Sequence, residues 1–220
     1  MFTLKRIMDS KISWNRYSNN CNNCNNYSNY NNNYTTWNYR KINKINLNKY
    51  SAGILPYTFD QQGSCMFLLG KDLDGDWSDF GGRCEYIDKN DEKNTASREF
   101  FEETLGAVLS VSECIDKISV CTKIISKTLN GSPYYMYLMY IDYQNYSEFF
   151  NKTSNFIKYI NKDDKKNLSK LIEKVAIRWV TLDTIINCIE GDSKSTPLPL
   201  RGIFYKTITT NKEQLLFLQK

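Results

Sequence analysis

The chain has 220 residues, enough for one well-buried domain with an appendage, and a net charge of +5. Its hydrophobic content of 41% is typical of a globular protein, and no apolar run approaches the roughly 18 residues that a membrane-spanning helix needs. The sequence contains no histidine, which excludes Ser-His and Cys-His nucleophile pairs, histidine phosphotransfer and His-ligated zinc sites, so any catalysis must rest mainly on carboxylates, lysines and tyrosines.

The N-terminal residues, MFTLKRIMDSKIS, carry charges in nearly every turn and no apolar block before a cleavage site. They do not resemble a secretory signal, and we therefore expect a cytoplasmic protein without membrane association. The odd number of cysteines, seven, argues against a complete disulfide framework. Cys21 and Cys24 form a CxxC motif, but no second pair follows at metal-ligand spacing, so a zinc or redox role is disfavoured.

Residues 1–50 are predicted to form a basic, Asn-rich arm that is poorly ordered. The tract at 19–33, NNCNNCNNYSNYNNN, cannot bury enough apolar area to offset the entropy of ordering it. Eight basic residues and one acidic residue give the arm a net charge of +7, whereas residues 51–220 carry −2. Such an arm would attract a polyanion such as RNA, although we favour compositional drift in an A/T-rich genome as the origin of the asparagine tract.

Residues 51–220 are predicted to form one α/β domain. The predicted elements are strands at 51–59 and 64–71, a glycine-rich loop at 71–83, a helix at 91–105 capped by Asp91 or Asn94, strands at 117–127 and 134–141, a helical stretch at 146–173, a strand at 175–180 and a helix from Leu182. Strands and helices in this order indicate a layered α/β domain with a mixed sheet.

The helix at 91–105 carries a cluster of carboxylates. At 100° per residue, Glu99, Glu102 and Glu103 fall within an arc of about 100°, and Phe100 lies on the adjoining face that packs inward. Three like charges at this spacing destabilise a helix unless a cation neutralises them, and hard oxygen ligands select Mg²⁺ or Mn²⁺. The alternative is a solvated acidic face in which Arg98 pairs with Glu102.

The loop before this helix ends in WSDFGGR at residues 77–83. Its glycine pair, Gly81 and Gly82, lets the backbone approach a ligand or offer a carbonyl oxygen to a metal. A glycine loop followed by an acidic helix indicates a site for metal and phosphate.

These residues resemble the Nudix hydrolase family. The family signature is a glycine, five residues, a glutamate, seven residues and then REUxEExGU, where U is apolar; this chain has Gly82 and the sequence REFFEE at 98–103. The resemblance covers residues 51–190, from SAGILPYT to AIRWVTLDTI. It implies an α/β/α sandwich with a central mixed β-sheet.

The chain departs from the signature in two places. Sixteen positions instead of fourteen separate Gly82 from Arg98, so Asp88, Asp91 and Glu92 are all candidates for the first signature glutamate. The last glycine of the signature comes one position late, at residue 106, where we expect it to end the helix.

The resemblance also implies site residues. Glu99, Glu102, Glu103 and the carbonyl oxygen of Gly82 are the implied ligands of Mg²⁺ or Mn²⁺, and Arg98 is implied to orient the carboxylates. The implied reaction is attack of a metal-activated water on one phosphorus of a diphosphate.

The general base is left open by the sequence. Within the signature it is Glu99 or Glu102, and outside it Glu148 or Glu173. Glu173 ranks first among the outside candidates, because it stands just before the RWV strand, where family members often carry a glutamate.

The WSDFGGR loop resembles a branch of viral and eukaryotic enzymes that act on capped RNA or on diphosphoinositol polyphosphates, and the Asn/Lys/Ile bias would suit a large DNA virus acting in the host cytoplasm. We therefore favour hydrolysis of the 5′ cap of mRNA (decapping), with RNA contacts from the basic arm and from stacking aromatics. The alternatives are diphosphoinositol polyphosphates, free nucleotides, or a non-catalytic Nudix-fold binding module.

Overall fold

A computed structural model describes residues 49–164, 168, 170–191 and 198–219. The predicted N-terminal arm lies outside the described residues except for Lys49 and Tyr50. Within the described ranges, no helix is both long and apolar enough to cross a membrane.

The described part of the chain forms one mixed, seven-stranded sheet in the order β3-β2-β1-β6-β5, with β4 paired to β1 and β7 paired to β2. The strands are β1 (Ser51–Phe59), β2 (Cys65–Asp72), β3 (Trp77–Ser78), β4 (Phe80–Arg83), β5 (Thr122–Lys127), β6 (Pro133–Tyr140) and β7 (Lys174–Thr181). β1 and β6 run parallel, and the other pairs are antiparallel. The predicted mixed sheet is therefore confirmed.

β1 and β2 pair only near their hairpin, where Tyr57 lies opposite Phe67. β7 pairs with the other edge of β2 along nearly its whole length. Farther from the hairpin, β1 pairs with β4, with Ala52 opposite Gly82. The short strands β3 and β4 occupy the space where β1 and β2 diverge, β3 on β2 and β4 on β1. The glycine pair is thus held inside the sheet by backbone hydrogen bonds and does not lie on a free loop.

Helices cover both faces of the sheet. α1 (Glu92–Glu103), α2 (Val111–Ile118) and α3 (Tyr146–Ile160) pack on one face, and α4 (Leu182–Glu190), α5 (Gly202–Thr210) and α6 (Lys212–Leu216) pack on the other. Each face has its own hydrophobic core, with Phe100 and Phe150 fully buried on the first and Ile185 and Phe204 on the second. The expected α/β/α sandwich is confirmed.

α1 begins where the sequence predicts and ends two residues early. The side chain of Asp91 caps the helix by accepting a hydrogen bond from the backbone N–H of Lys93 at 2.8 Å. Leu105 and Gly106 both have left-handed backbones, with φ of 55° and 66°, so the helix stops at Glu103. The carboxylates therefore occupy the last two turns.

The prediction of a strand from residue 117 is wrong for its first five residues. α2 extends to Ile118, because Ser110 and Glu113 form a capping box at its start and Cys114 and Ile118, one turn apart, are buried. The strand begins only at Thr122. The helix end and the strand follow each other without a glycine or proline between them, so the sequence offers no visible boundary.

Candidate active site

Arg98 lies at the centre of the acidic face of α1. Its guanidinium pairs with both carboxylate oxygens of Asp88, from Nε at 2.8 Å and from Nη2 at 2.9 Å. Nη1 contacts Glu99 at 2.8 Å and Glu102 at 3.2 Å. Nη2 also donates to the backbone carbonyl of Arg83, at the end of β4, at 3.0 Å. One side chain therefore joins the glycine strand, the turn after it and the acidic helix.

Asp88 is a buried carboxylate held from three sides. In addition to Arg98, it accepts hydrogen bonds from the backbone N–H of Glu85 at 2.8 Å and from the hydroxyl of Thr95 at 2.9 Å. Burial acts to raise the pKa of Asp88, but the hydrogen bonds from Arg98 and Glu85 hold it below its usual value. Asp88 also stands six positions after Gly82, which is the signature spacing.

The other candidates for the first signature glutamate have different partners. Asp91 caps α1, and Glu92 pairs with Lys123 of β5 at 3.3 Å. Lys89 and Asn90 have left-handed φ values of 55° and 59° and turn the chain towards the helix. These contacts favour Asp88 as the counterpart, with the two additional residues accommodated in the turn that follows it.

The carboxylate of Glu99 lies directly against Gly82. A Cβ added to Gly82 would fall 2.5 Å from the carboxylate carbon of Glu99, so only glycine permits this approach. Glu99 is 9% exposed. Burial, together with the negative charge of Glu102, outweighs the effect of Arg98 and raises the pKa of Glu99 to about 7. A poorly solvated carboxylate is thus held against the glycine backbone.

Glu103 points towards the sheet. Its Oε2 accepts a hydrogen bond from the backbone N–H of Gly81 at 2.8 Å, and its Oε1 lies 3.5 Å from Nζ of Lys174. The residue is 4% exposed. Burial raises the pKa of Glu103 to about 8, with Lys174 opposing the shift and the charges of Glu99 and Glu173 adding to it. Glu103 therefore ties α1 to both β4 and β7.

Lys174, the first residue of β7, is fully buried. Its Nζ donates to Asp72 at 2.6 Å and to the hydroxyl of Ser78 at 2.8 Å. Its aliphatic stem crosses Gly70, where an added Cβ would lie 3.0 Å from Cδ of the lysine. Sequence reasoning missed this cation, because nothing in the local pattern marks a lysine at a strand start as buried.

The two base candidates outside the signature lie in different places. Glu173 directly precedes Lys174, whose Nζ lies 3.5 Å from Glu103, and its charge acts to raise the pKa of both Glu99 and Glu103. Glu148 is exposed in the first turn of α3 and pairs with Lys152 at 2.6 Å. Of these two, Glu173 is the one brought to the site.

The ligand set predicted for Mg²⁺ or Mn²⁺ does not converge on one point. Among the described residues, no group of three or more His, Cys, Asp or Glu side chains is arranged to hold a metal ion. One guanidinium nitrogen contacts both Glu99 and Glu102, and Lys174 faces Glu103. The chemistry of the donors still fits a hard divalent cation, since all are oxygen atoms and Glu99 lies against Gly82. The metal site remains a prediction.

Without divalent cations, the free energy of unfolding is expected to fall as the pH rises from about 5 to about 8. The folded-state pKa values of Glu99 and Glu103, about 7 and about 8, lie above the ordinary 4.5, so the folded state binds more protons in this window. Their contribution is fully present below pH 4.5 and is lost as the pH rises through 7 and 8. Asp88, whose pKa is lowered, titrates below this window.

Urea denaturation of the full chain in EDTA, from pH 5 to 8.5, measures this dependence. A Glu103→Gln variant should show a flatter profile, because the amide can still accept the Gly81 hydrogen bond but does not ionise. Identical slopes for the variant and the unmodified chain would contradict the assignment of the pH dependence to this carboxyl group.

No protein-family model and no curated protein matches the chain. Similar solved structures include three proteins. The Nudix hydrolase RenU from M. smegmatis has 14% sequence identity and a TM-score of 0.44, and the match covers 76% of this chain and 86% of that chain. The Ap4A hydrolase of C. elegans has 14% identity and a TM-score of 0.41, with 76% of this chain and 98% of that chain covered. The MutT protein from Methanosarcina mazei Go1 has 15% identity and a TM-score of 0.39, with 76% of this chain and 94% of that chain covered. Similarity at this level assigns no activity, so function has to be argued from the residues of the site.

Proposed function

We propose that the protein is a divalent-metal-dependent pyrophosphohydrolase of the Nudix type, which cleaves a diphosphate linkage in a nucleoside-diphosphate-linked substrate. The observation that carries the proposal is the set of contacts around Arg98, which gathers Glu99 and Glu102 beside the glycine strand. A solvated acidic face would leave its carboxylates in water, whereas Glu99 and Glu103 are buried. Burying carboxylates together costs stability, and Arg98 and Lys174 offset only part of this cost, because the pKa values of Glu99 and Glu103 remain raised.

In this proposal, Glu99, Glu102, Glu103 and the carbonyl oxygen of Gly82 hold Mg²⁺ or Mn²⁺. The bound cation would supply Lewis-acid chemistry, lowering the pKa of a water and offsetting charge on the phosphate oxygens. Arg98 acts as a positioning residue. Its two-point pair with Asp88 fixes the guanidinium plane, so the carboxylates that contact Nη1 are held in place.

We assign the removal of a proton from the attacking water to Glu102, with Glu173 as the second candidate. Both oxygens of Glu103 already have partners, Gly81 and Lys174. The side chain of Glu102 is 20% exposed, more than that of Glu99 at 12%, and can therefore contact a water that approaches from solvent. A base must reach the proton it abstracts within hydrogen-bond distance, directly or through one water.

The favoured substrate is the 5′ cap of mRNA, with release of a methylated guanosine diphosphate. The net charge of +7 on residues 1–50 supports an RNA substrate. Tyr86 supports it as well, because this aromatic side chain is 56% exposed and lies two residues before Asp88, next to the Arg98 contacts. An exposed aromatic ring beside the site could stack on a base.

A substrate panel tests the proposal. The full chain would be incubated with Mg²⁺ or Mn²⁺ and with cap-labelled RNA, dinucleoside polyphosphates, nucleotide sugars, nucleoside triphosphates and diphosphoinositols. We expect the fastest cleavage with capped RNA, release of the methylated nucleoside diphosphate, and complete inhibition by EDTA. Cleavage of other diphosphates but not of capped RNA would contradict the cap assignment alone. If no substrate of the panel is cleaved, the proposed hydrolase activity is contradicted and a non-catalytic binding module becomes the favoured function.

A further inference from the structure

A polar cleft of about 470 Å³ lies at the end of β4. Tyr50 lines this cleft, and its hydroxyl lies 3.3 Å from the hydroxyl of Thr95 in α1. Its walls come from the start of β1, the end of β4 and the turn between β5 and β6. The residues that face it include Lys49, Ser51, Arg83, Thr128, Asn130 and Ser132. Its volume lies within the range of clefts that bind small molecules.

The lining of this cleft is positively charged. Lys49 and Arg83 are both exposed, and none of the described residues that line the cleft is acidic. Within the part of the chain that the structure describes, neither cation takes part in an ion pair. Residues 51–220 carry a net charge of −2, so a general excess of basic residues in the domain does not explain the pair of cations. The charge favours an anionic ligand.

The remaining wall offers hydroxyl and amide groups on a closed turn. Thr128 and Ser132 are joined by a backbone hydrogen bond of 2.8 Å, and the backbone N–H of Ser132 also donates to the hydroxyl of Thr128 at 3.1 Å. Gly131 has a φ of 79°, which the turn requires. This wall is therefore formed before a ligand arrives, and its polar groups can hydrogen-bond to phosphate oxygens.

The cleft and the acidic site meet at β4. The backbone carbonyl of Arg83 accepts the hydrogen bond from Arg98, and Arg83 follows Gly82 directly in β4, at a spacing of roughly 3.3 Å along the strand. Side chains alternate along a strand, so Gly82 faces Glu99 while Arg83 faces the other side. A substrate cleaved beside Glu99 would therefore have to pass around the end of β4 for its further phosphates to reach the cleft.

We propose that this cleft binds phosphate groups of the substrate beyond the linkage that is cleaved, with Arg83 and Lys49 as the binding residues. The inference rests on the proposed function, because it takes the acidic helix as the place of cleavage. The phosphates come either from the polyphosphate bridge of the substrate or from the RNA backbone. Arginine and lysine are suited to both, since each forms charge-assisted hydrogen bonds with phosphate oxygens.

Binding measured without divalent cations separates this inference from catalysis. The full chain in EDTA would be titrated calorimetrically with inorganic tripolyphosphate and, separately, with a short uncapped RNA. Arg83→Gln and Lys49→Gln remove the two charges, and the backbone carbonyl that Arg98 contacts is retained in the first variant. Lys158→Gln, at an exposed position of α3, is the charge-matched control.

Each cleft variant is expected to weaken the binding of at least one ligand roughly tenfold, whereas Lys158→Gln should change neither. If the variants lose affinity for tripolyphosphate alone, the phosphates bound in the cleft come from the polyphosphate bridge of the substrate. If they lose affinity for RNA alone, the phosphates come from the RNA backbone. The inference is overturned if the unmodified chain binds neither ligand, or if the cleft variants bind both as the control does. If the variants lose binding but the unmodified chain hydrolyses no substrate, phosphate binding by the cleft is supported and the proposed function is contradicted.

Discussion

Replacing Glu102 with glutamine is expected to lower kcat by at least about 100-fold, the scale of contribution made by a positioned proton acceptor. The variant should fold as stably as the unmodified chain, because the charge of Glu102 acts to raise the pKa of Glu99 and its removal relieves this repulsion. Steady-state kinetics on the substrate that the panel identifies measures kcat, and thermal unfolding measures the stability of the variant. An unchanged kcat would contradict the assignment of Glu102 to the active site.

Glu213→Gln is the matched control for this experiment. Glu213 is exposed in α6, on the opposite face of the sheet from α1, and has no role in the proposed site. Its substitution should leave both kcat and stability unchanged. Equal losses in the two variants would point to a general effect of charge and not to the acidic helix.

Replacing Arg98 with alanine is expected to destabilise the fold by about 3–5 kcal/mol, the typical cost of leaving one partner of a buried ion pair alone. Asp88 would keep its charge at 2% exposure without the two-point pair, and the carbonyl of Arg83 would lose its donor. Turnover should be lost as well, since Glu99 and Glu102 lose their shared contact. Urea denaturation at pH 7.5 measures the stability.

A double variant separates the structural role of Arg98 from its positioning role. Arg98→Met combined with Asp88→Asn removes both charges, so stability should recover part of the loss relative to Arg98→Met alone. Turnover should not recover, because the carboxylates of α1 remain without their guanidinium. A loss below about 1 kcal/mol for Arg98→Ala would show that the pair contributes no more than an ordinary surface ion pair.

The helix α1 and the mixed sheet could be predicted from the sequence because their local signals are strong. Asp91 is a good N-cap, and the carboxylates and Phe100 follow a helical period. The Asn-Gly turn between β5 and β6 is equally clear. In these regions the secondary structure that the local sequence favours is the one that the folded domain adopts.

The boundaries of α2 and the existence of α5 and α6 could not be predicted in the same way. α2 has only eight residues and continues into β5 without a breaker. α5 and α6 follow residues 192–197, and their buried residues, such as Phe204 and Leu215, form the second core together with strand residues distant in sequence. Their packing, more than their local sequence, makes them helical.

The sequence predicts that Arg98 pairs with the carboxylates of α1, but not the buried polar contacts between the site and the sheet. Lys174 meets Asp72 and Ser78 across 102 and 96 residues of sequence, and a single sequence carries no sign of such pairings. Asp79 is similar, because it is buried where the hydroxyl of Tyr134 donates to it. The sequence leaves three candidates for the first signature glutamate, and only the contact with Arg98 in the structure favours Asp88 over Asp91 and Glu92.

The proposed hydrolysis requires the carboxylates of α1 to bind a divalent cation, and a Mn²⁺ titration of the full chain measures this binding. Electron paramagnetic resonance of free Mn²⁺ gives the number of ions bound and their affinity. We predict saturable binding that Glu102→Gln weakens at least roughly tenfold, as the loss of a direct ligand should, given that even supporting residues change metal affinity by this amount. Absence of saturable binding, or equal affinity in the variant, would contradict the claim.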